Sequence, residues 1–262
     1  MIIYTMECRR NYRRQTIKAF TMNIAVVTTL NKKLYKQYGY KFFETYNWPF
    51  DLIVYSEDLN DIPRTDIVVR SIFDEIPECE EFVNRNKHRP VSDDPRTGFL
   101  KDGVRFCYKV YAYTNEIITS EDYDGLICMD ADSVFYKKID AEWVKKHIHN
   151  DGSLMSYLGR GDKQYSECGF LYFNMKHPEV KGLAKDMQMM YNEDLIYNEK
   201  EQHDSYIWDI VRKRYEKKGV ANKNLGDGRG GHVQARSILG PVYDHIKGPK
   251  RKKLMRSPEA KC

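Results

Sequence analysis

Apolar residues along this chain fall into two patterns. Short unbroken runs bounded by polar or turn residues read as strands: Asn23 to Thr29, Asp51 to Tyr55, Asp66 to Arg70, Gly125 to Met129, Leu154 to Leu158 and Phe170 to Asn174. The first run and Gly125-Leu126-Ile127-Cys128-Met129 are apolar at consecutive positions, as expected for strands of a parallel sheet covered on both faces. Between the runs, apolar residues recur at helical spacing. Leu34, Tyr38, Phe42 and Tyr46 mark a helix over Lys32 to Tyr46, and Val104, Cys107, Tyr108 and Tyr111 mark one over Val104 to Ile118. Further helices are expected over Ala141 to His149, Glu179 to Glu199 and His203 to Lys217. Strands alternating with helices predict an α/β fold with a mostly parallel central sheet, flanked by helices and joined by right-handed crossovers.

The polar stretches punctuate this pattern. Glu75 to Gly98, interrupted by Pro77, Pro90 and Pro95, is expected to be irregular or broken helix, and a stretch of that length commonly serves a functional site. Asn222 to Gly231 reads as a loose Gly- and Asn-rich connection. Residues 1–21 carry Arg9, Arg10, Arg13, Arg14 and Lys18 and read as a solvated basic arm.

At 262 residues and 41% hydrophobic, the chain can bury a core of its own. A formal net charge of +5 permits an anionic ligand without implying nucleic acid, so no nucleic-acid partner is expected. The six cysteines form no CxxC pair. Cys128 and Cys168 lie in apolar runs as buried thiols, which fits a reducing compartment. No apolar run is long enough to span a bilayer.

The chemistry concentrates where the Gly125 strand ends, at Asp130-Ala131-Asp132. Open α/β sheets bind ligands outside the carboxyl ends of their strands, and two carboxylates there can share a divalent cation with a phosphate ligand. Thr28 and Thr29 end the first strand and Tyr55 the second, so their polar groups are expected to share one rim and meet a base or ribose. Lys109 lies on the helix preceding the acidic strand, placed for an ammonium to reach a phosphate. Glu167 closes the polar loop from Gly159 to Gly169 and can orient a hydroxyl or act as a base. Asp204 opens a helix, where N-capping is the plain structural explanation.

Taken in order, Lys109, Asp130-Ala131-Asp132, Cys168-Gly169-Phe170-Leu171-Tyr172-Phe173-Asn174, Asp204 and His245-Ile246-Lys247-Gly248 resemble metal-dependent glycosyltransferases of the GT-A fold. The closest pattern is that of family 8, the glycogenin and bacterial galactosyltransferase group, and it spans roughly Asn23 to Arg251. The resemblance implies a Rossmann-like GT-A domain over 22–253, with a nucleotide-binding half (22–135), an acceptor half ending in a metal and diphosphate segment (136–253), and a tail at 254–262. It implies Asp130, Asp132 and His245 as ligands of manganese, or alternatively magnesium, with Asp130 also touching the ribose. It further implies Lys109 as a donor contact, and Gly248 beside the diphosphate with Lys250 or Arg251, the absence of the family's following tryptophan leaving Lys252 as a third choice. The donor would be a nucleotide-diphosphate sugar, most simply a UDP-sugar, and the acceptor a saccharide or other hydroxyl. Glu167 and Asp204 stand where the family's acceptor-side residues lie, as Glu167-Cys168-Gly169 and Asp204-Ser205 in place of Asn-Ala-Gly and Asp-Gln, and either of them as a catalytic general base would suit inversion at the anomeric carbon. The absence of an N-terminal membrane anchor favours a cytoplasmic enzyme of bacterial or viral origin, with peripheral membrane contact open to its basic ends.

Two other readings compete. Haloacid dehalogenase phosphatases also carry Asp-x-Asp after an apolar strand, which would make Asp130 a nucleophile, but their pattern continues with Gly-Thr or Gly-Val where this chain has Ser133-Val134. A non-catalytic nucleotide or nucleic-acid binding module would use the basic ends.

Overall fold

The computed structural model describes residues 22–58, 62, 64–94, 96–162, 164–248 and 253–260. The basic arm, Lys250, Arg251 and Lys252 lie outside the described residues. In chain order, β1 (Ile24–Thr29) leads into α1 (Lys32–Leu34), which continues through a π-helical turn into α2 (Tyr40–Thr45). There follow β2 (Asp51–Ser56), β3 (Ile67–Ser71), α3 (Ile72–Glu75), α4 (Pro77–Asn86), α5 (Gly103–Thr119), β4 (Gly125–Met129), β5 (Ser133–Phe135), α6 (Ala141–His147) and β6 (Ser153–Leu158). The chain closes with β7 (Glu167–Asn174), α7 (Val180–Asn192), α8 (Asp204–Lys217), β8 (Ala221–Asn224), α9 (Val233–Arg236) and β9 (Tyr243–His245).

Seven strands form one sheet in the order β3-β2-β1-β4-β7-β6-β8. β1, β2, β3 and β4 run parallel, as do β6 and β8, and β7 is antiparallel to both β4 and β6. The expected α/β class with a mostly parallel sheet is therefore what the chain adopts. β5 and β9 pair antiparallel in a separate ribbon.

The unbroken apolar runs arise from burial on both faces. Along β1, Ala25 and Val27 pack into a core with α4, α5, α7 and α8. Ile24 and Val26 pack into a second core with α2, α6, α9, Phe135 and Tyr243. Side chains of a strand alternate between faces, so a sheet sandwiched by helices needs apolar residues at every position. Edge strands escape this requirement. β3 leaves Val68 and Val69 exposed, and β8, of sequence Ala-Asn-Lys-Asn, has no apolar run at all. That is why β8 occupies a stretch that reads as a loose connection.

Three other elements depart from the periodicity. The helix expected through Glu199 ends at Asn192, because Asp194 adopts left-handed backbone (φ 55°) and a short 3-10 turn follows. The stretch from Glu75 to Gly98 contains a regular helix, α4, with Pro77 in its first turn where proline costs nothing. Asp204 is not an N-cap: His203 occupies that position without a side-chain capping bond, and Asp204 is the first helical residue.

The segment 253–260 folds back against the domain. Ser257 N–H and the His232 imidazole both meet the buried Asp244 carboxylate, at 2.5 and 2.9 Å, and Lys41 donates to the Leu254 carbonyl. Among the described residues no helix is long and apolar enough to cross a membrane, and Cys79, Cys107, Cys128 and Cys168 are buried free thiols.

Candidate functional site

The sheet topology creates a crevice. From β1 the chain winds outward to β2 and β3, then returns to place β4 on the other side of β1, so the carboxyl ends of β1 and β4 flank a topological switch point. A cleft of about 1270 Å³ opens there, lined among others by Thr29, Tyr38, Glu57, Arg105, Lys109, Asp130, Asp132, Tyr165, Glu167, Asp204, Lys247, Gly248 and Lys253.

Three segments reach its floor for separate geometric reasons. β4 ends at Met129, and Asp130 turns the chain, with Ser133 Oγ donating to the Asp130 carbonyl at 2.8 Å. Because β7 is antiparallel to β4, its beginning lies at the carboxyl edge of the parallel strands. Asp130 N–H accordingly bonds the Gly169 carbonyl, and Glu167 opens β7 beside the aspartates. Pairing of β5 with β9 sets Ser133 opposite His245, and Ile246 N–H donates to the Asp132 carbonyl at 2.8 Å. Residues far apart in sequence are thus fixed against each other by backbone pairing.

The result is one imidazole among three carboxylates. His245 Nε2 lies 2.9 Å from Asp132 Oδ1 and 3.4 Å from Asp130 Oδ2, while Nδ1 lies 3.7 Å from Glu167 Oε1. Ligand atoms of Asp130, Glu167 and His245 all fall within 4.8 Å of one another, a span one cation can bridge. The ring is only 3% exposed. The buried imidazole faces the oxygens of Asp130 and Asp132 through Nε2, while Glu167 stands off Nδ1 beyond hydrogen-bond distance. This oxygen-rich set with a single nitrogen fits a divalent ion such as manganese.

A second charged group adjoins it. Lys109 Nζ, projecting from α5, lies 2.6 Å from Asp130 Oδ1 and 2.5 Å from Asp204 Oδ2. Burial works against this ammonium, but the Asp130 and Asp204 carboxylates outweigh it and hold its pKa well above the ordinary value. Burial likewise opposes the Asp204 carboxylate, and Lys109 more than compensates, keeping it ionised below the usual range. Glu167 is paired with both Arg160 and Lys247. Asp204 and Glu167 are therefore both paired with cations.

The expected donor-side residues are placed differently from one another. Thr29 pairs in register with Tyr55 and lines the cleft. Thr28 is fully buried and its hydroxyl donates to the Met129 carbonyl. Tyr55 lines the cleft, but its hydroxyl is bonded to the buried Glu116, with Arg70 and Asn115 also on it. Gly248 lines the mouth with left-handed backbone (φ 85°), which glycine adopts without strain. Lys253 lines the cleft, brought there by the folded-back tail.

Sequence reasoning missed three groups. Arg160 sits in Gly159-Arg160-Gly161 at the carboxyl end of β6, nearly buried against Glu167; a lone arginine between glycines at a strand end was the available signal. Tyr38 shares a helical stripe with core residues, yet it borders the site. Burial, then the charges of Asp132 and Asp130, raise its phenol pKa and keep it neutral. Glu57 sits at the end of β2 with Asn31 donating to it at 2.6 Å, and burial raises its pKa.

The sequence matches no family model and no curated relative. Among solved structures, the chain is similar to the apo crystal structure of mouse xyloside xylosyltransferase 1, with 10% identity over 78% of this chain and 85% of that one and a TM-score of 0.47. A likeness at that level carries no functional argument.

Proposed function

We propose that this protein is a metal-dependent glycosyltransferase that moves a sugar from a nucleotide-diphosphate sugar, most simply a UDP-sugar, to a hydroxyl acceptor. The observation that carries the reading is the ring of Asp130, Asp132 and Glu167 around the buried His245, at the carboxyl ends of β1 and β4. Asp130, Asp132 and His245 would hold the ion, with the Glu167 carboxylate also within reach of it. A divalent ion in this place supplies the charge that stabilises a leaving diphosphate.

The chain's own groups divide the remaining work. Thr29, Tyr38 and Glu57 border the part of the cleft formed by the β1 and β2 ends, where a nucleoside would lie. Lys247 and Lys253 line the cleft and add positive potential for the phosphates, with Lys250 and Arg251 as further candidates beyond the described residues. Lys109 pairs with both Asp130 and Asp204 and fixes them against α5. Asp204, with its carboxylate pKa depressed by Lys109, is a weak base, and Glu167 is paired to two cations. Both therefore serve better to position groups than to remove a proton.

Thermal unfolding with nucleotide diphosphates and nucleotide sugars, each with and without manganese, tests the reading. A ligand at about a hundred times its Kd stabilises the folded state by about 2.7 kcal/mol. The expected result is a shift that needs both nucleotide and metal and disappears in Asp132→Asn. No shift with any nucleotide diphosphate, or covalent capture of Asp130 by a phosphate mimic, would overturn the reading.

A further inference from the structure

The cleft has two chemically different walls. The nucleoside side is built from Thr29, Asn31, Tyr38 and Glu57. The other side is aromatic. Phe99, Phe106 and Tyr165 surround the His203 imidazole, with centroid distances of 5.6, 6.1 and 4.3 Å. His203 is buried and its Nε2 lies 2.8 Å from Glu201 Oε2, which holds the ring in place. The three outer rings are only partly buried and line the cleft, and none of them packs into either hydrophobic core. Three large rings that contribute to no core, gathered on a fixed imidazole at the edge of a polar cleft, are placed to meet a ligand.

Resting on the glycosyl-transfer reading, we infer that this wall is the acceptor subsite and that the acceptor is a pyranoside. Tyr165 lies two residues before Glu167, and His203 directly precedes Asp204, so the wall borders one carboxylate beside His245 and another held by Lys109. A pyranose ring carries axial C–H bonds on a face and hydroxyls around its rim. Its face suits the electron-rich face of an aromatic ring, and its rim suits flanking polar groups of the cleft such as Asp204 and Ser205. A small aliphatic hydroxyl, such as that of a serine side chain, has no comparable face to set against these rings.

The test uses saturation-transfer NMR on the full chain with UDP and manganese, probed by methyl β-glucoside, methyl β-galactoside and methyl β-xyloside, with N-acetyl-serine methylamide for comparison. At least one glycoside is expected to show saturation centred on its axial C–H protons. Tyr165→Ala and Phe99→Ala are each expected to weaken its binding about tenfold, and Tyr165→Phe to retain it. Nucleotide binding, measured in the same samples by thermal shift, separates the two readings: if UDP and manganese fail to bind, glycosyl transfer falls regardless of the glycoside signal. With nucleotide bound, unchanged glycoside binding in folded Tyr165→Ala and Phe99→Ala, or binding of the serine amide with no glycoside signal, would overturn the acceptor assignment.

Discussion

The ammonium of Lys109 stands 2.5 Å from the carboxylate of Asp204, joining the middle of α5 to the first residue of α8 beneath the cleft. With side chains 12% and 4% exposed, neither charge has much water to fall back on. Removing one partner of such a pair leaves the other uncompensated, a loss of about 3–5 kcal/mol, whereas removing both Lys109 and Asp204 leaves only the more exposed Asp130 without its ammonium. Lys109→Met is therefore expected to lower the unfolding free energy by that amount in urea titrations. Lys109→Met with Asp204→Asn should recover part of it. Losses that simply add would show that the two side chains do not depend on each other.

The glycine of Cys168-Gly169-Phe170 carries a requirement specific to the site. A Cβ on Gly169 would come within 2.3 Å of His245 Nδ1 and 2.6 Å of Cε1. The imidazole is walled in by Asp130, Asp132 and Glu167, so it cannot yield without leaving its carboxylates. Gly169→Ala is expected to keep the fold by circular dichroism while weakening manganese binding by at least about tenfold in calorimetry, the size of effect seen when a ligating imidazole loses its orientation. Manganese affinity equal to wild type would show that His245 does not hold the ion.

Asp130-Ala131-Asp132 was legible in the sequence as a buried strand ending in acids, whereas the distant His245 was joined to it only through the resemblance to the glycosyltransferase pattern. β1, β2, β4, β6 and β7 were legible because burial on both faces leaves an apolar run, and β3 because its Ile-Val-Val core keeps a strand-like run even though its edge position leaves Val68 and Val69 exposed. β8 was not, because an edge strand of Ala-Asn-Lys-Asn gains its pairing from β6 rather than from its own side chains. The reversed direction of β7 was equally hidden, as no residue marks a strand antiparallel. That reversal is what brings Glu167 to the carboxyl edge and pairs it with Arg160. Asp204 shows the limit most plainly: at a helix start its local role is capping, and only the tertiary position of Lys109 gives it another.

Asp194 offers a pH-dependent test away from the cleft. Its carboxylate accepts from Arg85 Nε at 2.9 Å and Asn86 Nδ2 at 2.8 Å, which ties the end of α7 to α4 through a left-handed residue. Burial raises its pKa, but the bonds from Arg85 and Asn86 outweigh that and leave it below the ordinary value. A carboxyl whose folded pKa lies below its unfolded value of about 3.9 binds its proton more weakly when folded. Its contribution is thus complete above that pH and is lost as pH falls through the folded value. Arg85→Met removes the main cause. Because the Arg85 side chain is 41% exposed, the wild type should exceed the variant by only about 0.2–1 kcal/mol at neutral pH. Urea titrations should find that gap steady from about pH 7 to 5 and narrowing below about pH 4, with a remainder from the bond Arg85 makes to the Asn192 carbonyl. A gap that widened toward acid would mean that Asp194 is stabilised in its protonated form, contrary to the arrangement of donors around it.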